Sequence, residues 1–98
     1  MRVIAFSTLR DFWQQGHASA EGPLKAWYSE AKAALWDSPA DIKARYAHAS
    51  IVDGETVVFN IHGNAYRLVV KVWFEGKIVW VKFIGTHAQY DKIDVGEL

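Results

Sequence analysis

The chain has 98 residues, in which 11 lysines and arginines balance 11 aspartates and glutamates, and it contains no cysteine. This length fits one domain over residues 1–98, and the lack of cysteine excludes a disulfide framework and a zinc–thiolate site. Apolar residues make up 51% of the chain, which excludes a disordered protein, and no apolar run approaches the length of a transmembrane helix. We therefore expect a cytoplasmic protein that does not associate with a membrane.

In chain order, the first predicted elements are a short strand and an amphipathic helix. The strand covers residues 2–6, a mostly apolar run. Thr8 followed by Asp11 resembles a capping box, which predicts that the helix begins at this point. The apolar residues of the helix recur at helical spacing and stop before Gly16, where we expect it to end: Leu9, Phe12 and Trp13.

Two further helices are predicted before residue 47. Gly22-Pro23 opens the first of them, because proline is favoured in the first turn of a helix. Its predicted apolar stripe has five members: Leu24, Trp27, Tyr28, Ala31 and Leu35. Ser38-Pro39 begins a short helix that ends near Tyr46, and residues 47–54 are predicted to form a loop.

Three β-rich runs follow, at residues 56–61, 66–74 and 78–84. Gly63-Asn64 and Glu75-Gly76 lie at the turns between these runs, and each pair supplies a residue that tolerates positive φ in a tight hairpin. Extending the strand pairing away from these turns predicts five cross-strand pairs: Asn60 with Arg67, Val58 with Val69, Lys71 with Trp80, Val69 with Lys82, and Arg67 with Ile84.

Side chains alternate along a strand, so this register divides the sheet into two faces. One face is wholly apolar and is expected to pack on the helices: Val57, Phe59, Ile61, Leu68, Val70, Val72, Phe74, Val79, Val81 and Phe83. The other face is basic and aromatic: Asn60, Arg67, Lys71, Trp73, Trp80 and Lys82, with Val58, Val69 and Ile84 between them. This second face is either an ordinary solvated sheet surface or a surface that binds single-stranded nucleic acid, with phosphates on the cations and bases on the rings.

The segment after the last strand contains titratable side chains at helical spacing. Thr86 is placed to cap a short helix, on which His87, Tyr90 and Asp91 are separated by three and four positions. Imidazole is suited to acid or base catalysis near neutral pH, and the predicted register brings this helix close to Arg67. The alternative is a capped terminal helix with exposed polar residues. The four histidines show no metal-ligand spacing, so we expect neither a metal nor a cofactor.

Two segments of the chain carry a family resemblance. Residues 58–70, VFNIHGNAYRLVV, and residues 83–93, FIGTHAQYDKI, resemble ordered motifs of the HigB family, within the RelE-like superfamily of bacterial toxins. Residues 24–28 and 38–43 also resemble that family. The resemblance implies an α+β, RelE-like fold, in which an N-terminal strand and helices pack on one face of a small, mostly antiparallel sheet with a short C-terminal helix.

The resemblance also implies a function and a role for each matching residue. Members of the family cleave mRNA without a metal, typically on the ribosome, and are neutralised by a HigA-like antitoxin with a helix-turn-helix. Arg67 would hold the scissile phosphate, and Lys82, which stands where relatives commonly have arginine, would share that work. His87 would act as general acid or base, Tyr90 would stack on a base or orient the 2′-hydroxyl, and Asp91 would fix its neighbours. The net charge of zero departs from the usual basic character of the superfamily.

Two alternatives remain open from the residues themselves. One is a module that binds single-stranded RNA through the Trp73 and Trp80 face without cutting it. The other is a protein-interaction domain that uses the same face as a partner interface, because exposed aromatic residues are also typical of such sites.

Overall fold

The computed structural model describes residues 1–98 and contains one five-stranded sheet in the order β1-β5-β4-β3-β2. The strands are β1 (Arg2–Ile4), β2 (Ser50–Ile51), β3 (Thr56–Ile61), β4 (Tyr66–Trp73) and β5 (Ile78–Thr86). β1 runs parallel to β5, and all other neighbouring strands are antiparallel. The expected α+β architecture, with helices on one face of a mostly antiparallel sheet, is confirmed.

Four α-helices accompany the sheet: α1 (Phe6–Gln14), α2 (Glu21–Ala33), α3 (Pro39–Arg45) and α4 (His87–Tyr90). Single 3-10 turns lie at Ala18–Ala20 and Val95–Glu97. None of these helices combines the length and the apolar character that a membrane crossing requires.

The N-terminal half departs from the prediction at three places. α1 begins at Phe6 because Ala5 adopts a left-handed conformation (φ 73°) that turns the chain sharply out of β1, so the predicted capping box of Thr8 and Asp11 is wrong. α2 ends at Ala33, which leaves Leu35 outside the helix and 78% exposed instead of in the apolar stripe. The predicted loop over residues 47–54 contains the two-residue strand β2.

The core lies between the helices and one face of the sheet. A single cluster of 20 buried residues joins the helices to the strands. The ring of Trp27 on α2 meets the ring of Phe59 on β3 edge-on, with 5.5 Å between centroids. Burying each large apolar side chain contributes roughly 1.5–3 kcal/mol, so this contact layer fixes the sheet relative to the helices.

The strand register is as predicted between β3 and β4 but only partly so between β4 and β5. Asn60 pairs with Arg67 and Val58 with Val69, and in the second hairpin Lys71 pairs with Trp80. A β-bulge then shifts the ladder between Val69 and Val70, and Lys82 is the extra residue. Val69 therefore lies opposite Phe83, and Arg67 opposite Gly85, so the predicted pairs Val69–Lys82 and Arg67–Ile84 are wrong.

The bulge exchanges the faces of two side chains, because an extra residue reverses the alternation beyond it. Ile84, predicted for the open face, is 8% exposed and belongs to the core cluster. Phe83, predicted for the core, is half-buried and shares the open face with Val69. Val58 and Val69 do face away from the helices but are buried, since Ser50 and Phe83 flank them in the same row.

Candidate functional site

The register places Asn60, Arg67 and Gly85 side by side across β3, β4 and β5. Side chains in directly opposed positions have Cβ atoms about 5 Å apart, so Asn60 and Arg67 are neighbours on the open face. The ring of Phe83 lies across Gly85, where an added Cβ would be 2.5 Å from Cζ of Phe83. The same position is 2.9 Å from Oε1 of Gln89 on α4, so strand, ring and helix meet beside Arg67.

The guanidinium of Arg67 lacks an internal partner. Its Nη1 atom is buried and has no hydrogen-bond acceptor, and none of the ion pairs in the chain includes Arg67. A buried cationic donor without an acceptor is unfavourable, because it has lost water and gained nothing in return. An external anion would remove that penalty, and the planar fork of a guanidinium matches two oxygens of a phosphate group.

The short helix α4 begins at the same end of the sheet, since Thr86 pairs with Tyr66 beside Arg67. Its N-terminus is closed by a reciprocal cap: Oγ1 of Thr86 accepts from the Gln89 N–H at 3.2 Å, and the Thr86 N–H donates to Oε1 of Gln89 at 2.8 Å. The predicted cap at Thr86 is therefore confirmed. This cap fixes the direction in which the helix leaves the strand.

His87 stands exposed on the first turn of α4, where Nδ1 lies 3.2 Å from Oδ2 of Asp91. A carboxylate at that distance can accept a hydrogen bond from Nδ1 and so orient the ring. Asp91 is itself exposed, and Tyr90 is half-buried. The predicted grouping of His87 and Asp91 on one side of the helix is thus present.

The remaining predicted residues lie farther along the open face. Lys71 and Trp80 are opposed and half-buried, and Lys82 is exposed at the bulge. Together with Trp73 they line a groove of about 450 Å³ that also includes Glu55. Trp73 is 52% exposed and lies six residues from Arg67 along β4, which corresponds to roughly 20 Å. The predicted surface therefore divides into a part around Arg67 and a more distant aromatic groove, and Lys82 lies on β5 between the residues opposite Arg67 and Lys71.

Charge separates the two parts further. Asp53 accepts a hydrogen bond from the backbone N–H of Thr56 at 2.8 Å, and this contact, aided by the nearby charge of Lys71, lowers the pKa of Asp53 below its ordinary value. Lys71 therefore has an ionised carboxylate close to it. None of the ion pairs in the chain includes Arg67, and its buried Nη1 has no acceptor, so an external anion could bind there without displacing a carboxylate.

Two features of the site have no clear signal in the sequence. A cleft of about 590 Å³ opens on the other side of Asn60, between the β3–β4 turn and the segment after α3, and it contains His48 and Asn64. A second groove, of about 510 Å³, runs from His17 to Gln89, and the His17 ring stacks on Phe12 with 4.0 Å between centroids. Both depend on contacts between distant segments.

Comparison with known families gives one match. The family model HigB_toxin, described as the RelE-like toxic component of a toxin-antitoxin system, matches residues 20–93. That range contains β2 to β5 and α4, and so all of the residues around Arg67. No curated protein matches the chain.

Proposed function

The chain belongs to the HigB family of RelE-like toxins, the toxic components of toxin–antitoxin systems. On that premise we propose that it is an endoribonuclease whose catalytic site, around Arg67, cleaves mRNA. The single observation that supports this site best is the buried, unpartnered Nη1 of Arg67. A phosphodiester is the anion that mRNA brings to such a group, and its two non-bridging oxygens fit the guanidinium fork.

The reaction needs no group other than those of the RNA and the chain. The 2′-hydroxyl attacks the adjacent phosphorus, the bond to the 5′-oxygen breaks, and the products are a 2′,3′-cyclic phosphate and a 5′-hydroxyl. Arg67 stabilises the extra negative charge of the phosphorane, which is the task of a fixed donor in such a site. Lys82 supports it as a second cation.

Two proton movements accompany the displacement. One proton leaves the 2′-hydroxyl, and one reaches the departing 5′-oxygen. His87 carries one of these transfers through Nε2, while Asp91 holds the ring through Nδ1. Tyr90 orients the 2′-hydroxyl or stacks on a base from the same helix.

The RNA on either side of the cut runs along the open face. Asn60 lies beside the phosphate site, and Lys71 with Trp80 continues the path toward Trp73. Phosphates on cations and bases on rings are the usual contacts of a single strand. The chain has no net charge to attract free RNA, so we propose that the ribosome presents the mRNA and that the reaction takes place in the cytoplasm.

The family also implies an antitoxin partner. We propose a HigA-like protein with a helix-turn-helix that covers or distorts the region of Arg67 and His87. A stable association of this kind buries about 1,200–2,000 Å² in total. Co-expression with the neighbouring gene product and co-purification test this part of the proposal.

The test of the function is cleavage of mRNA on programmed ribosomes, with the ends of the fragments identified. The wild-type chain is expected to leave 2′,3′-cyclic phosphate ends. Arg67→Ala is expected to cut about a hundredfold more slowly or worse, because one electrostatic contact of this kind is worth that much. Arg10→Ala removes an exposed arginine of α1 and serves as the matched control.

Three outcomes would count against the proposal. Binding of RNA by the wild-type chain without any cleavage would favour a non-catalytic RNA-binding module. Neither binding nor cleavage, together with harmless expression, would favour a protein-interaction domain. Cleavage by folded Arg67→Ala at the wild-type rate would remove Arg67 from the site.

A further inference from the structure

The largest cleft of the protein is lined by Asn60, the cross-strand neighbour of Arg67, and none of its other lining residues takes part in the mechanism above. It exists because β2 pairs only with Val57 and Val58, so the last part of β3 has no strand neighbour on that side. The chain after α3 approaches this open edge without filling it and leaves a space of about 590 Å³. A volume of that size is ordinary for a small-molecule site and exceeds the needs of one nucleobase.

The floor of the cleft is built from Arg45, Tyr46 and Phe59, which contact one another. The guanidinium of Arg45 lies over the ring of Tyr46, with 5.0 Å between Cζ and the centroid, and Tyr46 packs edge-on against Phe59. Glu30 of α2 accepts hydrogen bonds from both Arg45 and the Tyr46 hydroxyl. The Tyr46 hydrogen bond lowers the pKa of Glu30, so this carboxylate stays ionised and holds both groups in place.

The wall that carries His48 is also fixed. Lys43 donates to the backbone oxygens of Ala47 at 2.8 Å and Ala49 at 2.7 Å, and so it clamps the peptide on both sides of His48. His48 itself is exposed and lines the cleft. The imidazole is therefore presented by a segment that is already ordered.

The opposite wall belongs to the phosphate site. Asn60 lines the cleft and is the cross-strand partner of Arg67. Asn64, in the turn after β3, lines the same wall. Each carboxamide offers a donor and an acceptor together, which is the arrangement that reads the edge of a base.

From this placement we propose that the cleft is a nucleobase subsite for a nucleotide adjoining the cleaved phosphate. The base stacks on the guanidinium of Arg45, which itself lies over the ring of Tyr46, as unpaired bases do on guanidinium and aromatic planes. His48, Asn60 and Asn64 hydrogen-bond its edge and make the rate of cleavage depend on the identity of that base. The inference rests on the proposed function, because the phosphate at Arg67 sets the position of the base.

The experiment measures kcat/KM on programmed ribosomes for mRNAs that differ in one base on either side of the cut. The wild-type chain is compared with His48→Ala and Asn64→Ala. His62→Asn is the matched control, since His62 is an exposed histidine of the same turn, does not line the cleft and has a φ of 55° that asparagine tolerates. Circular dichroism checks that each variant is folded.

We expect the wild-type chain to prefer one base by about tenfold or more at one position, and both alanine variants to reduce that preference severalfold. His62→Asn should keep it. The proposal is overturned if the wild-type chain cuts all sequences equally, or if both variants keep the wild-type preference. Loss of antitoxin binding by these variants with an unchanged base preference would overturn it in favour of a protein contact.

A second readout keeps the two proposals apart. RNA trinucleotides with a 2′-deoxy group at the cut cannot react, and their binding is followed through the NMR signals of the Asn64 side-chain amide and the His48 ring. Shifts in these signals with no cleavage of normal RNA would support the subsite and refute the ribonuclease. Cleavage that depends on Arg67 with no shifts would refute the subsite alone.

Discussion

Gly85 is a position where adding a single methyl group should disturb the packing of the site. A Cβ at this residue would lie 2.5 Å from Cζ of Phe83 and 2.9 Å from Oε1 of Gln89, whereas carbon atoms pack best about 3.5–4.0 Å apart. Gly85→Ala must therefore move the Phe83 ring by roughly 1 Å and press on the cap of α4. Because both obstacles are the ends of side chains, which can move aside, we expect the low end of the usual overpacking cost, about 1 kcal/mol of the free energy of unfolding.

The assay is thermal unfolding followed by circular dichroism. Each kcal/mol lowers Tm by roughly 4–8 °C in a domain of this size, so a loss of at least several degrees is expected for Gly85→Ala. Gly22→Ala is the matched control, because nothing lies within 4 Å of a Cβ at this exposed position in α2. Alanine is the better helix former, so this variant should be as stable as wild type or more so.

A double-mutant cycle tests whether the Phe83 ring is the group that an alanine at Gly85 would press against. Phe83→Ala removes the ring that crosses Gly85, so adding Gly85→Ala to that background should cost clearly less than adding it to the wild-type chain. Coupling between contacting residues is commonly about 0.5–3 kcal/mol. Equal losses of stability in the two backgrounds, or a Gly85→Ala protein with the wild-type Tm, would refute this account of the site.

Three further predictions test other parts of the structure. Glu30→Gln should be less stable than wild type at pH 7, because the Tyr46 hydrogen bond lowers the pKa of Glu30 in the folded protein. The extra stability of the wild-type protein should be complete above pH 4.5, the ordinary pKa, and should disappear as the pH falls below 4.5 through the lowered pKa, which measurements of Tm against pH check. His87→Ala should stay folded and cut RNA roughly a hundred- to ten-thousandfold more slowly, and a rate near wild type would move the proton transfer to Tyr90 or Lys82. In urea unfolding, Leu24→Ala should lower the free energy of unfolding by about 2–5 kcal/mol and Leu35→Ala by less than about 0.5 kcal/mol, because Leu24 is fully buried and Leu35 is 78% exposed. Equal losses of stability would contradict the end of α2 at Ala33.

The sequence predicts the sheet well where local signals determine it. The turn residues and the alternation of apolar and polar residues along a strand can both be read from short segments, and together they place Asn60 opposite Arg67 correctly. The bulge at Lys82 escapes prediction because no glycine or proline marks it, and the apolar residues on both sides fit either face. That one residue is the reason that Phe83 and Ile84 exchange places.

The candidate site is predicted in part for a similar reason. Arg67 and the helix with His87 follow from strand register and helical spacing, which need only short segments of sequence. The cleft beside Asn60 depends on the approach of the segment after α3 to a sheet edge that β2 leaves open. Contacts between segments so far apart in the chain have no local signature, so nothing in the sequence distinguishes His48 from the other histidines.

Arg67→Met shows whether the guanidinium of Arg67 serves a bound phosphate or the fold. Methionine keeps an apolar stem on the open face and removes the guanidinium of a half-buried arginine whose buried Nη1 has no acceptor. The measurement is the single-turnover rate of mRNA cleavage on programmed ribosomes together with the Tm of the same preparation. We predict that the rate falls on the order of a hundredfold or more while Tm stays level or rises, because the charge serves the substrate and not the fold. A wild-type rate, or a rate that falls only together with a matching loss of Tm, would show that Arg67 does not bind the scissile phosphate.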